Sequence, residues 1–415
     1  VTDDWGQRRA KPVAVGPAAR HRLPRSQRMR RERARRRRRI TGTLVTALLA
    51  VVVVATVVLG AKLWHTLAGD RGDFRGDGER DVVIQIHEGD TTTAVGQTLL
   101  DTGVVATVRA FVDAAHGNDK ISAIQPGFYR MRTVIPAASA VERLADPQNR
   151  VGRLVIPEGR QLDDTIDMKT DEVTPGIFTL IAQASCVELD GVDHCVEADD
   201  LRTAAGTASP AMLSVPEWAA LPVTQMGRDH RRIEGLITPG TWNVDPSGSA
   251  TTILSRLIGA SATAYTAAGL PRSAEPLEMS PYDVLAVASL VQRETKPADF
   301  PKVARVIYNR LHQHRKLEFD STVNYRLDRQ EVATTDADRA EPTPWNTYMT
   351  EGLPATPICS PGEDALRAAE HPADGPWLYF VTVDLQGTTL FSADYEQHLA
   401  NIETAKRNGV LDSVR

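Results

Sequence analysis

Residues 40–61 form a run of 22 residues without a charged side chain. At about 1.5 Å of rise per residue, a helix of that length spans roughly 33 Å, enough to cross the hydrocarbon core of a bilayer. Five consecutive arginines, 35–39, stand on one flank, and Lys62 and Trp64 stand on the other. The arginines place the N-terminal side in the cytoplasm by the positive-inside rule. The run is too long, and starts too far into the chain, for the apolar core of an ordinary signal peptide. The reading is a single membrane-spanning helix over 40–63, after a basic tail over 1–39 and before a polar linker over 64–80. A helix buried in a protein core is the alternative, and the arginine flank disfavours it.

The charge divides at the same place. Residues 1–39 carry 15 Lys+Arg and 3 Asp+Glu, a net of +12, while the remainder has a net of −17. Alone, such a tail would suggest a nucleic-acid partner. Beside a membrane span it reads as the cytoplasmic flank of an anchor, and no nucleic acid is expected. Everything after the linker then lies outside the cytoplasmic membrane. Cys186 and Cys195 are nine positions apart in an acidic stretch there, where the oxidising compartment permits a disulfide. Cys359, in the turn-like Thr-Pro-Ile-Cys-Ser-Pro-Gly, reads as structural rather than nucleophilic. No spacing suits a metal, and neither a metal nor an organic cofactor is expected.

The outer part reads as α+β, in two pieces. Over 81–150, Val82, Ile84 and Ile86 alternate as in a half-buried strand. Helices over 91–100 and 107–115 follow, and then a strand over 126–131. This strand–helix–helix–strand plan is that of a LysM-like module, a small fold often used to hold N-acetylglucosamine polymers; a plain spacer has the same plan. Over 151–415 a larger mixed domain is expected. Its strand at 153–157 and helix-like 161–168 echo the first module, either as a weak duplication or as a strand pairing with it. Residues 182–211 look like an inserted loop, and 217–227 like an irregular piece. Residues 233–242 are turn-rich and end in Trp242, a residue suited to stacking on a sugar ring. A helix covers 250–268. Residues 299–314 form another, and 317–325 are extended, with Asp320, Ser321 and Thr322 as polar candidates. The loops over 345–362 are polar. A short helix over 362–369, a strand pair over 377–383 and 388–392, and a helix over 395–408 close the chain.

The best-marked helix covers 280–295. Ser280 is an N-cap, Pro281 occupies the first helical position, Asp283 completes a capping-box start, and Lys296-Pro297 stops it. Leu290, Val287 and Asp283 fall four, seven and eleven positions before Glu294, so this carboxyl shares a row with apolar neighbours in the last turn. Partial burial and the negative end of the helix dipole both disfavour its charged form. A carboxyl that stays protonated near neutral pH is what a general acid requires. A surface acid that reaches solvent, or pairs with Arg293 or Arg310, is the alternative.

A set of short motifs then recurs in a fixed order: Ala-Ser-Leu-Val-Gln-Arg-Glu-Thr over 288–295, Val-Ala-Arg-Val-Ile-Tyr-Asn-Arg-Leu over 303–311, Asp-Ser-Thr-Val over 320–323, Asn-Thr-Tyr over 346–348, Gly-Leu-Pro over 352–354, Pro-Ile-Cys-Ser-Pro-Gly over 357–362 and Leu-Tyr-Phe-Val over 378–381. In that order the chain resembles the YceG-like family, the endolytic murein transglycosylases called MltG. Ile-Pro-Glu-Gly over 156–159, Glu234-Gly235 and Pro-Gly-Thr-Trp over 239–242 fit as well, and the likeness covers about 81–412.

The resemblance implies cleavage of the β-1,4 bond between N-acetylmuramic acid and N-acetylglucosamine inside peptidoglycan strands. No water is used, and a 1,6-anhydro end is left. It puts the catalytic glutamate at Glu294. Many members carry another acid two positions earlier, where this chain has Gln292, and often a second proline where it has Ala355. The segment 182–211 has no assigned counterpart. A transglycosylase manages with one carboxyl, because the nucleophile belongs to the substrate. Asp320 is then a positioning group, or the second carboxylate of a water-using muramidase. Asn309, Asn346, Thr347 and Tyr348 are candidates for acetamido and hydroxyl groups, Arg310 for a peptide or lactyl carboxylate, and Glu234 and Trp242 for further substrate contacts. A non-catalytic peptidoglycan-binding scaffold is the remaining alternative. By family, the implied setting is a bacterial cytoplasmic membrane, with peptidoglycan synthases and penicillin-binding proteins as partners.

Overall fold

The computed structural model describes residues 72–327, 329–330 and 334–410. The basic tail and the apolar run 40–61 lie outside them. Among the described residues no helix is long and apolar enough to cross a membrane. The architecture is α+β, with mostly helical layers and small sheets.

The first core is built by β1 (Asp81–Ile86), α1 (Thr92–Asp101), α2 (Val108–Ala115), β2 (Gly127–Arg132) and α3 (Ala137–Ala145). The expected strand–helix–helix–strand order is present. Thr91 and Thr107 cap the two helices by accepting the backbone N–H groups of Ala94 and Ala110. β1 and β2 pair antiparallel, with Ile84 opposite Tyr129, and both are buried with Leu99, Phe111 and Val141. β3 (Arg150–Val151) adds a third strand beside β2.

The second core is larger. β4 (Arg153–Ile156) pairs with β9 (Gly240–Asn243), not with the first module; the strand that does pair with that module is β3. The helix expected over 161–168 is absent. Gln161 and Leu162 turn inward instead, and the chain enters β5 (Thr165–Asp167), which pairs with β6 (Val173–Thr174) and with β10 (Arg329–Gln330). Segment 182–211 is not a loop. It holds the end of α4 (Ile177–Ser185), the hairpin β7 (Val187–Leu189) and β8 (Val192–His194), and α5 (Ala198–Thr207). Leu201, Ala204, Ala205 and Ala208 put a helical stripe of α5 into the core, a signal masked by the acidic residues around it. Residues 217–227 are also helical: α6 (Glu217–Gln225) buries Ala219 and Val223, one turn apart. α7 (Ala250–Ala268) runs as expected and ends on Gly269 at φ +104°.

At the centre lies α8 (Pro281–Glu294). The capping box forms as the sequence specifies: Ser280 Oγ accepts the Asp283 N–H at 3.1 Å, and Asp283 Oδ2 accepts the Ser280 N–H at 3.3 Å. Every residue from Val284 to Val291 is buried, so the helix is surrounded rather than amphipathic. Truncating Leu290 there would cost about 2–5 kcal/mol. Around it pack α6, α9 (Phe300–His312), α10 (Asp320–Asn324) and α11 (Glu363–Glu370). The stretch expected to be extended at 317–325 therefore contains a helical turn, α10; Phe319 ends the extended part and anchors its ring in the core. β11 (Tyr379–Thr382) and β12 (Thr389–Ser392) pair antiparallel, and α12 (Tyr395–Arg407) closes the chain.

The two cores meet at a tight seam. Gly152, at φ +72°, joins β3 to β4, and a Cβ there would lie 1.9 Å from the Val244 carbonyl oxygen, so no other residue fits. Cys186 and Cys195 form a disulfide that closes the base of the β7–β8 hairpin. The tip of that hairpin reaches the first module. The Asp81 N–H donates to Asp190 Oδ1 at 2.9 Å, and the Asp190 N–H donates to Asp81 Oδ2 at 3.1 Å.

Candidate active site

The dispersed sequence motifs converge on the C-terminal half of α8. The Gly159 N–H donates to the Ser360 carbonyl at 2.8 Å, and the Ser360 N–H donates to the Arg160 carbonyl at 2.8 Å. Ser289 Oγ accepts the Ile358 N–H at 3.0 Å. Gln292 accepts the Gly362 N–H at 2.8 Å and so fixes the loop after 357. Cys359 is fully buried, its thiol facing the Ser289 carbonyl at 3.4 Å, which leaves it a packing role. Gly235 sits at φ +75° with space only for hydrogen: a Cβ would meet Pro357 at 2.6 Å.

Glu294 ends α8, and Thr295 already has extended backbone. The side chain is half-buried. Its Oε1 accepts a short hydrogen bond from the Ser321 hydroxyl on α10. Burial pushes the carboxyl pKa up; the Ser321 hydrogen bond opposes this, the charge of Asp320 adds to it, and the balance stands at about 7. Arg293 pulls in the other direction but lies beyond ion-pair distance among the described residues, and Arg310 is engaged elsewhere. Neither expected salt-bridge partner holds Glu294. A carboxyl with a pKa near 7, one edge fixed by a hydroxyl, can give and retake a proton at neutral pH.

Asp320 precedes Ser321, and its oxygens are fully occupied. Arg339 grips it with Nε on Oδ1 at 3.1 Å and Nη2 on Oδ2 at 3.0 Å; Tyr348 Oη donates to Oδ1 at 2.8 Å and Thr334 Oγ1 at 2.7 Å. Asp320 therefore ties the loops around α10 together, and burial together with its charge raises the Tyr348 pKa.

Most of the other candidates have their polar atoms taken up inside the protein. Asn346 donates to the Arg339 and Glu341 carbonyls at 3.0 and 2.7 Å. Thr347 accepts the Phe319 N–H at 3.1 Å and lies 2.9 Å from Thr322 Oγ1. Asn309 holds the Gly375 and Trp377 carbonyls at 3.0 and 2.8 Å. Arg310 donates to the carbonyls of Leu378, Lys316 and Leu317 and pairs with Glu318 at 3.1 Å. Trp242 is half-buried in β9, its indole N–H on the Thr238 carbonyl at 3.1 Å. Thus Glu294, Ser321, Asp320 and Tyr348 are brought together, whereas Asn309, Arg310 and Trp242 act as braces elsewhere.

Glu234 is a different case. It is only 1% exposed, and its Oε2 accepts the Leu162 N–H at 3.1 Å and the Tyr325 hydroxyl at 2.8 Å. Burial pushes its pKa up to about 8 against those hydrogen bonds. It borders a cavity of about 290 Å³ that also holds Asp163, His230, Arg202 and Arg231. Burial would raise Asp163, but its hydrogen bonds to His230 and Arg202 and the charge of Arg231 hold it down to about 2. Sequence reading did not single out this cluster; its members are spread over some 70 positions with no motif between them.

A family model described as the YceG-like family matches residues 84–404. The chain belongs to the YceG-like family. An endolytic murein transglycosylase of Bacillus subtilis (strain 168) is 25% identical over 325 residues, covering 78% of this chain and 84% of that protein. One from Streptococcus pneumoniae serotype 2 is 24% identical over 335 residues, covering 77% of this chain; the chain spans 58% of that relative's length. A crystal structure of a YceG-like protein from Listeria monocytogenes matches with a TM-score of 0.50 at 23% identity, covering 78% of this chain and 99% of that one. At that identity the likeness is one of fold.

Proposed function

We propose that this chain is a lytic transglycosylase that cuts the β-1,4 bond between N-acetylmuramic acid and N-acetylglucosamine within peptidoglycan strands, with Glu294 as its single acid/base. The observation that carries the reading is the half-buried Glu294 carboxyl at the end of α8, held by Ser321, with a pKa pushed up to about 7. The names of its relatives support the same substrate. Protonated Glu294 gives its proton to the glycosidic oxygen as the C1–O bond of the muramoyl residue breaks. The carboxylate so formed takes the proton of that residue's 6-hydroxyl as O6 closes on C1. The products are a free 4-hydroxyl and a 1,6-anhydro end, no water is consumed, and Glu294 returns protonated. Because the nucleophile is held in the same sugar, no second carboxylate is needed. That agrees with Asp320 being tied to Arg339 and Tyr348.

The wider reading places 1–39 in the cytoplasm, a membrane span at 40–63, a linker at 64–80, a LysM-like module at 81–150 and the catalytic domain at 151–415. In the LysM-like module a cavity of about 150 Å³ between the 87–92 turn and Ile121, Ile124 and Pro126 is the place for a saccharide contact. Synthases and penicillin-binding proteins that make the strands are the proposed partners.

Digesting purified sacculi with the full chain in detergent and reading the ends by mass spectrometry tests the reaction. Anhydro ends that vanish in Glu294→Gln are expected. Reducing ends would mean a water-using muramidase, and intact strands would mean a binding scaffold.

A further inference from the structure

Arg293, the chain neighbour of Glu294, shares a cavity with a second arginine, Arg160. Arg160 follows Gly159, whose φ of +71° turns the chain toward α8, and Arg293 precedes Glu294 within it. Both line a cavity of about 210 Å³ that also presents Gln161, Thr165 and Thr174. Among the described residues neither arginine makes an ion pair. The Arg160 Nε is buried with no hydrogen-bond partner, and Arg293 donates to the neutral side chain of Gln330 at 3.2 Å.

Two acids also line the cavity, and neither is ion-paired to Arg160 or Arg293 among the described residues; Glu158 is exposed. Asp163 is held by Arg202 and His230 at 2.8 and 2.7 Å, and the Glu158 carboxyl lies against Gly362, where even a Cβ would come within 2.2 Å of it. Burial, and then the neighbouring charge of Arg293, lower the Arg160 pKa. Two like charges facing one cavity, one with an orphaned donor, are unfavourable unless an anion joins them. A carboxylate matches the planar guanidinium fork.

This inference rests on the transglycosylase reading. On a strand of alternating amino sugars, the anionic groups are carboxylates of the lactyl–peptide arm. That arm leaves C3 of the muramoyl ring, the ring whose C1–O bond Glu294 is proposed to break. We propose that the Arg160–Arg293 cavity is the subsite for a carboxylate of this arm. Arg310, which the sequence suggested for that role, is enclosed by carbonyls and Glu318.

The test uses the full chain in detergent and three substrates: peptide-bearing strands, the same strands with their carboxyls methyl-esterified, and strands stripped of peptide to leave free lactyl carboxylates. Arg160→Gln is expected to raise KM on peptide-bearing strands about tenfold or more, with kcat within about twofold, as for one charge-assisted contact. Esterification should raise the wild-type KM alike and add nothing in Arg160→Gln, and Arg160→Lys should recover part of the loss. The lactyl carboxyl is an amide in peptide-bearing strands, so an Arg160→Gln effect that disappears on stripped strands assigns a peptide carboxylate, and one that persists shows that the freed lactyl carboxylate can take the same place. Equal losses on all three substrates, or a fall in kcat with a lowered Tm, would mean a structural arginine and overturn the proposal. So would esterification that weakens wild type and Arg160→Gln alike.

Binding of the same strands to Glu294→Gln, with and without Arg160→Gln, gives a readout independent of turnover. If no anhydro ends form, the reaction reading fails, and the esterification dependence of binding still decides the subsite.

Discussion

Two glutamates in this molecule have the same chemical abnormality and opposite surroundings. Glu234 and Glu294 are both pushed toward the neutral form by burial, to about 8 and about 7. Glu234 is only 1% exposed, its Oε2 fixed by a backbone N–H and a phenol. Glu294 is half-buried at the last residue of a helix, with a hydroxyl on one oxygen. A raised pKa marks burial in both cases; only the second combines it with access. The difference separates a structural carboxyl from a proton-transfer group better than either pKa does.

Five substitutions probe that contrast. Glu294→Gln has the largest expected effect: anhydro-end formation falls by about 10²–10⁴-fold, the usual share of a general acid–base, while circular dichroism and Tm stay those of the wild type. A comparable loss of Tm would remove the distinction. Glu234→Ala should behave in the opposite way, losing about 2–3 kcal/mol in urea unfolding because the Leu162 N–H and Tyr325 hydroxyl are left unpaired.

Glu234→Gln keeps the acceptor and costs less, and it should flatten the pH dependence of stability. The sign follows from proton binding. With native pKa values above the unfolded value of about 4.3, the folded protein binds more protons, so stability falls as pH rises from about 4.5 toward 8. Glu234→Gln removes its part of that slope, and urea midpoints at pH 5 and 8 measure it.

Asp320→Asn weakens the grip of Arg339 and removes a charge that raises the Glu294 pKa. Activity should drop about tenfold or less, as for a misplaced rather than a missing group, and the alkaline limb of the pH–rate profile should move to lower pH. Ser321→Ala removes a hydrogen bond that lowers the Glu294 pKa, so that limb, expected near pH 7, should move up by a fraction of a unit. Movement in the other direction would show that Ser321 does not serve the charged form.

The sequence was most informative where local chemistry decides structure. Ser280, Pro281, Asp283 and Pro297 delimit α8 within a residue, the Thr91 and Thr107 caps mark α1 and α2, and alternation marks β1. It was least informative where partners come from afar. The helical stripe of α5 was hidden by acids, and Leu317 and Phe319 made α10 look extended because their anchoring pocket is built by distant segments. The candidate site showed the same division. Glu294 was legible from its place at a helix end and from the motif around it. Asn309, Arg310, Asn346 and Thr347 share those motifs, yet their side chains hold carbonyls and hydroxyls whose positions no local pattern reveals. Arg160 was passed over because it falls in the turn between a stretch read as strand and one read as helix.

Gly152 has a consequence for how the molecule comes apart. With the Val244 carbonyl where a methyl group would sit, and with the hairpin tip of Asp190 latched on Asp81, the joint between the cores has no slack. A single unfolding transition from β1 to α12 is therefore the expected outcome in calorimetry, despite two separate apolar interiors.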